Sequence, residues 1–385
     1  MIDEKFMKEL LDGVEVQWKT LGEVIDVITA PEKVKREMYR EKGKIPIVDQ
    51  GIKFIAGYTD EDIKTVKFEE CIIFGDHSEH IKYVNFEFIQ GADGLKILNS
   101  KKDNTKYIFY SFKNFYKKEL NYKRHWSSAK ETLIPIPPLD IQEKIVKILD
   151  NFTELTAELT AELTARKKQY EYYRDELLTF DDNEVEWKKL GDVSKIQRGA
   201  SPRPISKYIT NSDDGVPWIK IGDTTLDSKY VIKTSQKITR EGSQKSRILK
   251  KGDFIISNSM SFGRPYILDI DGAIHDGWAS ISDFNNEFNS DFLYHLLSSN
   301  LVQSYWLSKI NSGSVSNLNS EIIKSLILPI PSLEEQERIV SILDKFDTLT
   351  SSITEGLPRE IELRQKQYEY YRDMLLNFPK EKEDK

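Results

Sequence analysis

The stretch KKQYEYYRDELLTF at residues 167–180 recurs as QKQYEYYRDMLLNF at residues 365–378. Eleven of the fourteen positions are identical, and the two copies lie 198 residues apart in a chain of 385. A duplication at this distance is much longer than the period of a solenoid repeat. It predicts that the chain contains two copies of one structural unit.

Two further pairs of segments extend the duplication. Residues 134–152 recur as residues 328–346, 194 positions later, and residues 16–24 recur as residues 185–193. Each copy therefore runs in the same order: a short strand, a globular segment, a proline-rich segment and a long helix. The globular segments between these markers show little similarity, so the duplication lies mainly in the parts that frame them.

The spacing of the apolar and aromatic residues predicts the two helices. Steps of three and four residues are typical of a coiled-coil seam. Each helix could extend over about 40 residues, or about 60 Å. The two seams could pair with each other in antiparallel orientation, or each could pack on its own globular core. The first seam comprises Leu149, Phe152, Thr156, Leu159, Leu163, Arg166, Tyr170, Tyr173, Leu177 and Phe180, and the second Leu343, Phe346, Thr350, Ile353, Leu357, Tyr368, Tyr371, Leu375 and Phe378.

Proline and glycine residues predict where these helices begin and break. Pro135, Pro137 and Pro138 in the first copy, like Pro329 and Pro331 in the second, should stop the preceding strand and set the start of the helix. The second helical segment is four residues longer and contains Gly356-Leu-Pro358, which should break or kink it. The first segment instead repeats the word Thr-Ala-Glu-Leu at 156–159 and 160–163.

Composition narrows the class of protein. One cysteine, Cys71, excludes a disulfide framework, and the absence of an apolar leader or spanning segment predicts a reducing cytoplasm. The net charge is −7, but residues 19–133 carry +3 and residues 188–325 carry +4. Two mildly basic globular segments within an acidic chain permit a polyanionic partner.

No catalytic motif stands out. The chain lacks the glycine-rich patterns of dinucleotide and phosphate sites, and it has no Asn/Asp-Pro-Pro-aromatic corner of the kind a methyltransferase would need. Residues 181–188 combine carboxylates with Lys188, but the pattern favours a solvated strand edge. Asp76-His77-Ser-Glu79-His80 could be drawn as a metal site, although a hydrogen-bonding loop fits its composition better.

The duplicated Pro-Ile-Pro…Gln-Glu-(Lys/Arg)-Ile-Val…Ile-Leu-Asp unit and the repeated Gln-Tyr-Glu-Tyr-Tyr-Arg-Asp helix ends resemble the specificity subunits of type I restriction-modification enzymes. The segments 216–224 (VPWIKIGDT) and 249–254 (LKKGDF) add to this resemblance, and the Thr-Ala-Glu-Leu words are similar to the branch called type IC. The first globular segment departs from the pattern because it lacks the Gly-Asp-Phe sequence of the second.

The resemblance implies an α+β fold in which two target recognition domains are joined by two long helices that form an antiparallel coiled coil with pseudo-twofold symmetry. The expected parts are a first recognition domain at 1–133, a first helical spacer at 134–180, a second recognition domain at 181–327, and a second helical region with a tail at 328–385. Each domain would read half of a bipartite double-stranded DNA site, and helix length would set the unread spacer.

The resemblance also implies partners. Two modification subunits would bind the helices and carry S-adenosylmethionine, and restriction subunits, with ATP and magnesium on the partner chains, would join them. This chain itself would be non-catalytic and hold no cofactor or metal. The alternatives are a DNA-binding coiled-coil scaffold without base readout, or an enzyme that acts through Glu186 or His77.

Polar loops supply the candidate DNA contacts, because phosphates attract cations whereas base edges require hydrogen-bonding side chains. Gly-, Ser- and Asn-rich stretches indicate loops with free donors and acceptors. The candidates in the first domain are His77, Lys123, Arg124, His125 and Trp126, with a core tryptophan as the alternative for the last. Those in the second domain are Arg198, Ser201, Arg203, Ser257, Asn258, Ser259, Arg264, Ser314, Ser316, Asn317 and Asn319.

The repeated aromatic helix ends supply the candidate contacts with partner subunits. The aromatic face that includes Tyr170, Tyr172 and Tyr173 indicates that the chain depends on partner subunits. The predicted partner-binding residues are Tyr170, Tyr172, Tyr173, Tyr368, Tyr370 and Tyr371.

Overall fold

The structure is a computed structural model of the chain. It describes residues 10–91, 93–225, 228–258, 263–311, 317–352 and 354–379. The predicted seam residue Ile353 and the predicted site residues Ser259, Ser314 and Ser316 lie outside the described residues. None of the helices in the described ranges is long and apolar enough to cross a membrane.

The first part of the chain alternates short strands with a few helices and ends in one long helix. Its strands are β1 (Gln17–Thr20), β2 (Ile25–Ile28), β3 (Ile45–Val48), β4 (Gly57–Thr59), β5 (Cys71–Gly75), β6 (Ile81–Val84), β7 (Ile89–Gln90), β8 (Leu95–Ser100) and β9 (Leu133–Ile136). Its helices are α1 (Leu21–Val24), α2 (Thr105–Phe115), α3 (Trp126–Ala129) and α4 (Leu139–Leu177), with a 3-10 turn at Arg36–Met38.

The second part repeats this order with additional strands. Its strands are β10 (Glu186–Lys189), β11 (Lys195–Arg198), β12 (Ile209–Thr210), β13 (Val216–Ile219), β14 (Tyr230–Val231), β15 (Gln236–Ile238), β16 (Arg247–Leu249), β17 (Phe254–Ser257), β18 (Pro265–Leu268), β19 (Gly272–Ile274), β20 (Trp278–Ser282) and β21 (Ile327–Ile330). Its helices are α5 (Leu190–Val193), α6 (Arg240–Gln244), α7 (Ser290–Ser298), α8 (Asn300–Asn311), α9 (Ser320–Lys324), α10 (Leu333–Ser351) and α11 (Leu357–Leu376), with 3-10 turns at Ile205–Lys207 and Ile221–Asp223.

The chain forms two compact units. The first unit contains the described residues up to Ala157 together with those from Leu363 onward, and the second runs from Glu158 to Glu362. Each unit thus combines one sheet-containing domain with two helical segments that are distant in sequence. The boundaries of these units fall inside α4 and α11 and not at the proline-rich segments.

The central sheets of the two units have the same strand order. In the first unit the order is β2-β8-β5-β6, and in the second it is β11-β20-β17-β18, extended by β14. Neighbours within both four-strand sets are antiparallel. A second sheet in each unit contains one parallel pair, β3 with β7 and β13 with β19. The strand pairing therefore aligns two domains whose sequences could not be aligned.

Helical segments pack against each domain in the same way. In the first unit Phe152 of α4 stacks on Tyr371 of α11, with ring centroids 5.2 Å apart. In the second unit Phe346 of α10 stacks on Tyr173 of α4 at 5.6 Å. Each pair joins the apolar core of its unit or lies at the edge of that core. The α+β class and the pairing of helical segments are confirmed.

The role predicted for the prolines is only partly correct. Pro135 and Pro329 do not stop a strand but lie inside β9 and β21, where they pair with Trp18 and Trp187 of β1 and β10. These sheets have two strands, so an edge position without an N–H donor is tolerated. The predicted break at Gly356-Leu-Pro358 is confirmed: α10 ends at Ser351, Gly356 has φ +81°, and α11 begins at Leu357.

A buried glutamine at the start of each long helix forms hydrogen bonds with the adjoining domain. Gln336 is fully buried; its amide donates to Pro331 O (2.9 Å) and Glu287 O (2.8 Å) and accepts from the Asn289 N–H (2.7 Å). Asn289 in turn caps α7.

Gln142 makes the same arrangement in the first unit. Its amide donates to Pro137 O (2.9 Å) and to the Asp103 carboxylate (2.8 Å), and it accepts from the N–H of Asn104 (2.9 Å), which caps α2. One side chain thus satisfies backbone groups from the proline-rich segment and from the start of a domain helix.

We expect Gln336→Leu and Gln142→Leu each to lower the free energy of unfolding by about 2–4 kcal/mol, because each leaves several buried polar groups without partners. Gln365→Leu is the matched control, since Gln365 is exposed on α11 and bonds to Glu369. Urea unfolding measures the loss, and hydrogen exchange should locate it at the amides of Asn289 and Asn104. Unchanged exchange at these amides would contradict the assignment.

Candidate nucleic-acid interface

Glu79 organises the loop that carries most of the first-domain candidates. Its carboxylate accepts from Tyr116 Oη (2.7 Å) and from the backbone N–H groups of Glu119 and Leu120 (both 2.8 Å). Burial raises the pKa of Glu79, but these three donors outweigh it and hold the pKa below the ordinary value. The Asp76 carboxylate accepts a hydrogen bond from the Trp126 N–H at 2.8 Å. The acidic residues of this turn thus act as hydrogen-bond acceptors.

The candidates on this loop differ in exposure. Lys123 and Arg124 are exposed, and Lys123 forms an ion pair with Glu119. His125 is fully buried and donates from Nε2 to Asn121 O at 2.9 Å, so its ring supports the loop from inside. Trp126 is partly buried against Phe74, with ring centroids 6.0 Å apart. This position agrees with the alternative given above for Trp126, a tryptophan of the core. Of these four candidates, only the two cations are classed as exposed.

His77 belongs to a polar group that we call the first strand-end cluster: Lys33, Gln50, His77 and Asp93, where β2 and β5 end and β8 begins. Gln50 accepts from the His77 N–H (3.2 Å) and donates to Asp93 O (3.0 Å). Lys33 Nζ lies 2.8 Å from Asp93 Oδ1 and holds the pKa of Asp93 below its ordinary value. The cluster therefore presents an ionised carboxylate and an ammonium side by side.

The rim of this cluster carries an exposed aromatic stack. His77 Nδ1 donates to Lys123 O at 3.1 Å, and the His77 ring stacks on Tyr122 at 5.4 Å. Tyr122 is 91% exposed. Gly94 has φ +88°, a backbone conformation that is strained for residues with a Cβ, so this position favours glycine.

The second strand-end cluster, defined as Arg198, Ser201, Arg203, Asn258 and Asp276, lies where β11 and β17 end and β20 begins. Ser201 Oγ donates to Asp276 Oδ1 at 2.7 Å, and Arg203 Nη2 lies 3.6 Å from Oδ2. Arg198 Nε (3.3 Å) and Asn258 Nδ2 (3.5 Å) donate to the carbonyl oxygen of Asp276. Chiefly because of the Ser201 hydroxyl, the pKa of Asp276 is lowered. The cluster offers cations, a hydroxyl, an amide and a carboxylate on one edge.

Two features make this edge suitable for recognition. Arg203 has 84% of its side chain exposed and is held at one end by Asp276. Asn258 Oδ1 is buried and makes no hydrogen bond to any described residue. An unpaired acceptor in a buried position is costly, so Asn258 is a good candidate for a ligand contact.

The remaining second-domain candidates lie around this edge. Ser257 is buried at the end of β17. Arg264 stacks its guanidinium over Tyr266, 5.6 Å from the ring centroid, just before β18. Asn317 is exposed, and the N–H of the next residue, Leu318, donates to Asn258 O at 3.2 Å. Asn319 caps α9 with its side-chain oxygen.

The candidate tyrosines divide into packed and exposed residues. Tyr371 is buried, Tyr170 and Tyr368 are partly buried beside the apolar cores, and Tyr173 stacks on Phe346. Tyr172 and Tyr370, at equivalent positions of the repeat, are 64% and 51% exposed. These two present the largest tyrosine surfaces of the six.

Five residues of these edges were not predicted from the sequence: Lys33, Gln50, Asp93, His275 and Asp276. His275 Nε2 lies 3.1 Å from Asp276 Oδ1. One signal was present in the sequence, because an Asp-Gly pair precedes both β8 and β20, at 93–94 and 276–277.

The described residues include no group of three or more His, Cys, Asp or Glu side chains that could hold a metal ion. Glu186, named above as a residue through which an enzyme could act, forms an ion pair: its carboxylate lies 3.2 Å from Lys188 Nζ.

Comparisons with known proteins agree with this organisation. The model of the family described as "Type I restriction modification DNA specificity domain" matches residues 13–166 and 183–363. The type I restriction enzyme EcoR124I/EcoR124II specificity subunit of Escherichia coli is 39% identical over 99% of this chain and 98% of its own length. A putative type I restriction enzyme specificity subunit of Haemophilus influenzae is 36% identical over 97% of this chain and 98% of its own length.

Two solved structures share the fold. The S subunit of a type I restriction-modification system from M. genitalium has a TM-score of 0.58 and 17% identity over 96% of this chain and 98% of that one. A chain from a study of complex assembly and conformational transition of the type I R-M system has a TM-score of 0.62 and 17% identity, over 95% and 98%. At this identity the likeness concerns the fold alone.

Glu79→Gln should destabilise the first unit by about 1–3 kcal/mol at pH 7, because an amide cannot accept from all three donors. The folded-state pKa of Glu79 lies below its ordinary value of 4.5. Its stabilising contribution is therefore complete above pH 4.5 and is lost as pH falls through the folded-state pKa. Unfolding at several pH values should show the difference from the wild type shrinking in acid. The exposed Glu131→Gln control should change stability little, and an equal loss at all pH values would contradict the prediction.

Proposed function

Because this chain belongs to the type I restriction modification DNA specificity family, we propose that it is the sequence-specific DNA-binding subunit of a type I restriction-modification complex. It reads a bipartite double-stranded site, one half with each unit. The main support is that two units with the same strand order present polar clusters of different composition at corresponding strand ends. The same frame with different side chains suits the reading of two different half-sites.

The chemistry of the clusters favours base readout over a scaffold without sequence preference. A sequence-blind DNA-binding surface needs mainly cations, whereas base edges require paired donors and acceptors. Asn258, Ser201 and Asp276 supply such groups in the second unit, and Gln50, His77 and Asp93 supply them in the first. Both clusters therefore offer hydrogen-bond donors and acceptors in addition to charged groups.

The catalytic steps belong to other chains of the proposed complex. Two modification subunits would carry S-adenosylmethionine, and restriction subunits would join them with ATP and magnesium. The exposed Tyr172 and Tyr370 lie at equivalent positions of the repeated helix ends and suit two equivalent partners. We place the complex in the cytoplasm, because the one cysteine of the chain, Cys71, is free and buried and this fits a reducing compartment.

A complex of this chain with its modification subunits should protect two short DNA patches separated by an unprotected gap. It should also methylate only sites that contain both patches. Footprinting and genome-wide methylation mapping measure the two results, and modification subunits without this chain are the control. A uniform footprint with no sequence preference would contradict the proposal and support the scaffold.

The length of α4 is proposed to set the unread spacer. The helix is unbroken from Leu139 to Leu177 and includes the repeated words at 156–159 and 160–163. Residues Thr160, Ala161 and Glu162 are exposed, so this segment contributes little to either core. Removing four helical residues shortens the helix by about 6 Å and rotates its end by a net angle of about 40°. That rotation is close to the roughly 34–36° of one base pair.

Deleting Thr160–Leu163 should shorten the preferred spacer while both half-sites keep their sequences. Methylation mapping of the assembled complex measures both properties at once. Replacing the same four residues with alanines keeps the helix length and is the matched control, so it should leave the spacer unchanged. Altered bases within a half-site after the deletion would defeat the idea that helix length acts only on spacing.

A further inference from the structure

The two strand-end clusters share one charged pair at corresponding positions of the sheets. Asp93 and Asp276 each lie two residues before the first residue of the equivalent strands β8 and β20. Lys33 and Arg203 each lie five residues after the last residue of the equivalent strands β2 and β11. The lysine contacts Asp93 at 2.8 Å, and the arginine contacts Asp276 at 3.6 Å. The same acid–base pair thus recurs although the loops around it differ.

Hydrogen bonds hold the backbone beside Lys33 and at Asp276, yet the cations of both pairs are open to solvent. The Val34 N–H, next to Lys33, bonds to Gln90 O at 3.0 Å, and the Asp276 backbone accepts from Arg198 and Asn258. The cationic side chains are 48% and 84% exposed. Exposed ion pairs contribute little to stability, so their recurrence calls for another reason.

The charges indicate which part of a DNA duplex such a pair would face. A carboxylate beside the cation would be repelled by a phosphate. Base edges instead offer both signs of partner: guanine O6 and N7 accept from arginine or lysine, and the amino groups of cytosine and adenine donate to a carboxylate or amide. An acid–base pair held in place therefore matches a base edge better than the backbone.

Resting on the proposed function, we infer that Arg203 and Lys33 contact base edges at corresponding places in the two half-sites, with Asp276 and Asp93 as positioning residues. Arg203 presents a fork that can engage guanine O6 and N7 together, whereas Lys33 offers a single point of contact. We therefore expect discrimination between bases to be stricter at the position read by Arg203 than at the position read by Lys33.

The test uses the full chain assembled with its modification subunits and a library of bipartite sites in which both half-sites are varied. Arg203→Ala should relax discrimination at one position of one half-site by about 5- to 150-fold, and Lys33→Ala should relax one position of the other half-site by less. Arg203→Lys keeps the charge but loses the fork, so it should relax the same position as Arg203→Ala. Asp93→Asn should alter the same position as Lys33→Ala.

Matched controls come from ion pairs at the opposite ends of the same strands. Lys250 pairs with Asp271 at 2.9 Å where β17 begins, and Lys101 lies 4.0 Å from Asp26 where β2 begins. Lys250→Ala and Lys101→Ala should leave both half-sites unchanged.

The outcomes separate this inference from the proposed function. If Arg203→Ala weakens binding equally for all sequences and reduces the salt dependence by about one phosphate contact, the residue contacts backbone and the inference is overturned. The inference also fails if Arg203→Ala behaves like Lys250→Ala. A wild-type complex without any sequence preference would instead overturn the proposed function.

Discussion

The fold depends on two buried glutamines, Gln142 and Gln336, which make equivalent hydrogen bonds in the two units. A neutral glutamine can both donate and accept, so Gln142 and Gln336 each satisfy the carbonyl of a proline-rich segment and the N–H of a helix cap in the adjoining domain. A carboxylate could not donate, and an apolar side chain would leave these groups unpaired. The amide therefore fixes where each long helix leaves its domain. The stacked pairs Phe152–Tyr371 and Phe346–Tyr173 lie further along the same helical segments.

Much of the helical part of the fold could be predicted from the sequence, because the residues that determine it are local in sequence or repeated. Helix periodicity, the repeated proline-rich segment and the break at Gly356 are properties of short stretches of chain. The position of Pro135 inside β9 was not predictable in this way, since it depends on pairing with Trp18, more than one hundred residues earlier. The alignment of the two domains likewise required strand pairing: Cys71–Gly75 and Phe254–Ser257 occupy equivalent central strands but share few residues.

The candidate sites were less predictable than the fold, since exposure and partners are tertiary properties. His125 lies in a polar stretch, yet its ring is buried because it bonds to Asn121 O beneath the loop. Asp276 was overlooked because its partners Ser201 and Arg203 lie more than seventy residues away. The Asp-Gly signal was visible in the sequence, but a dipeptide of this kind usually indicates only a turn. Only the strand pairing shows that both Asp-Gly pairs lie at the starts of equivalent strands.

The uneven distribution of the duplication follows from what each part must contact. Where a contact has the same geometry in both units, the same residues recur, as with the glutamines. Where geometry leaves a choice, the units differ: Tyr110 donates to Asp150 at 2.7 Å in the first, whereas His295 donates to Asp344 at 2.8 Å in the second. The strand-end clusters differ most between the units: Gln50 and His77 bond to backbone groups in the first cluster, whereas Arg198 and Asn258 do so in the second. A protein built this way can alter what each unit binds while keeping how each unit is built.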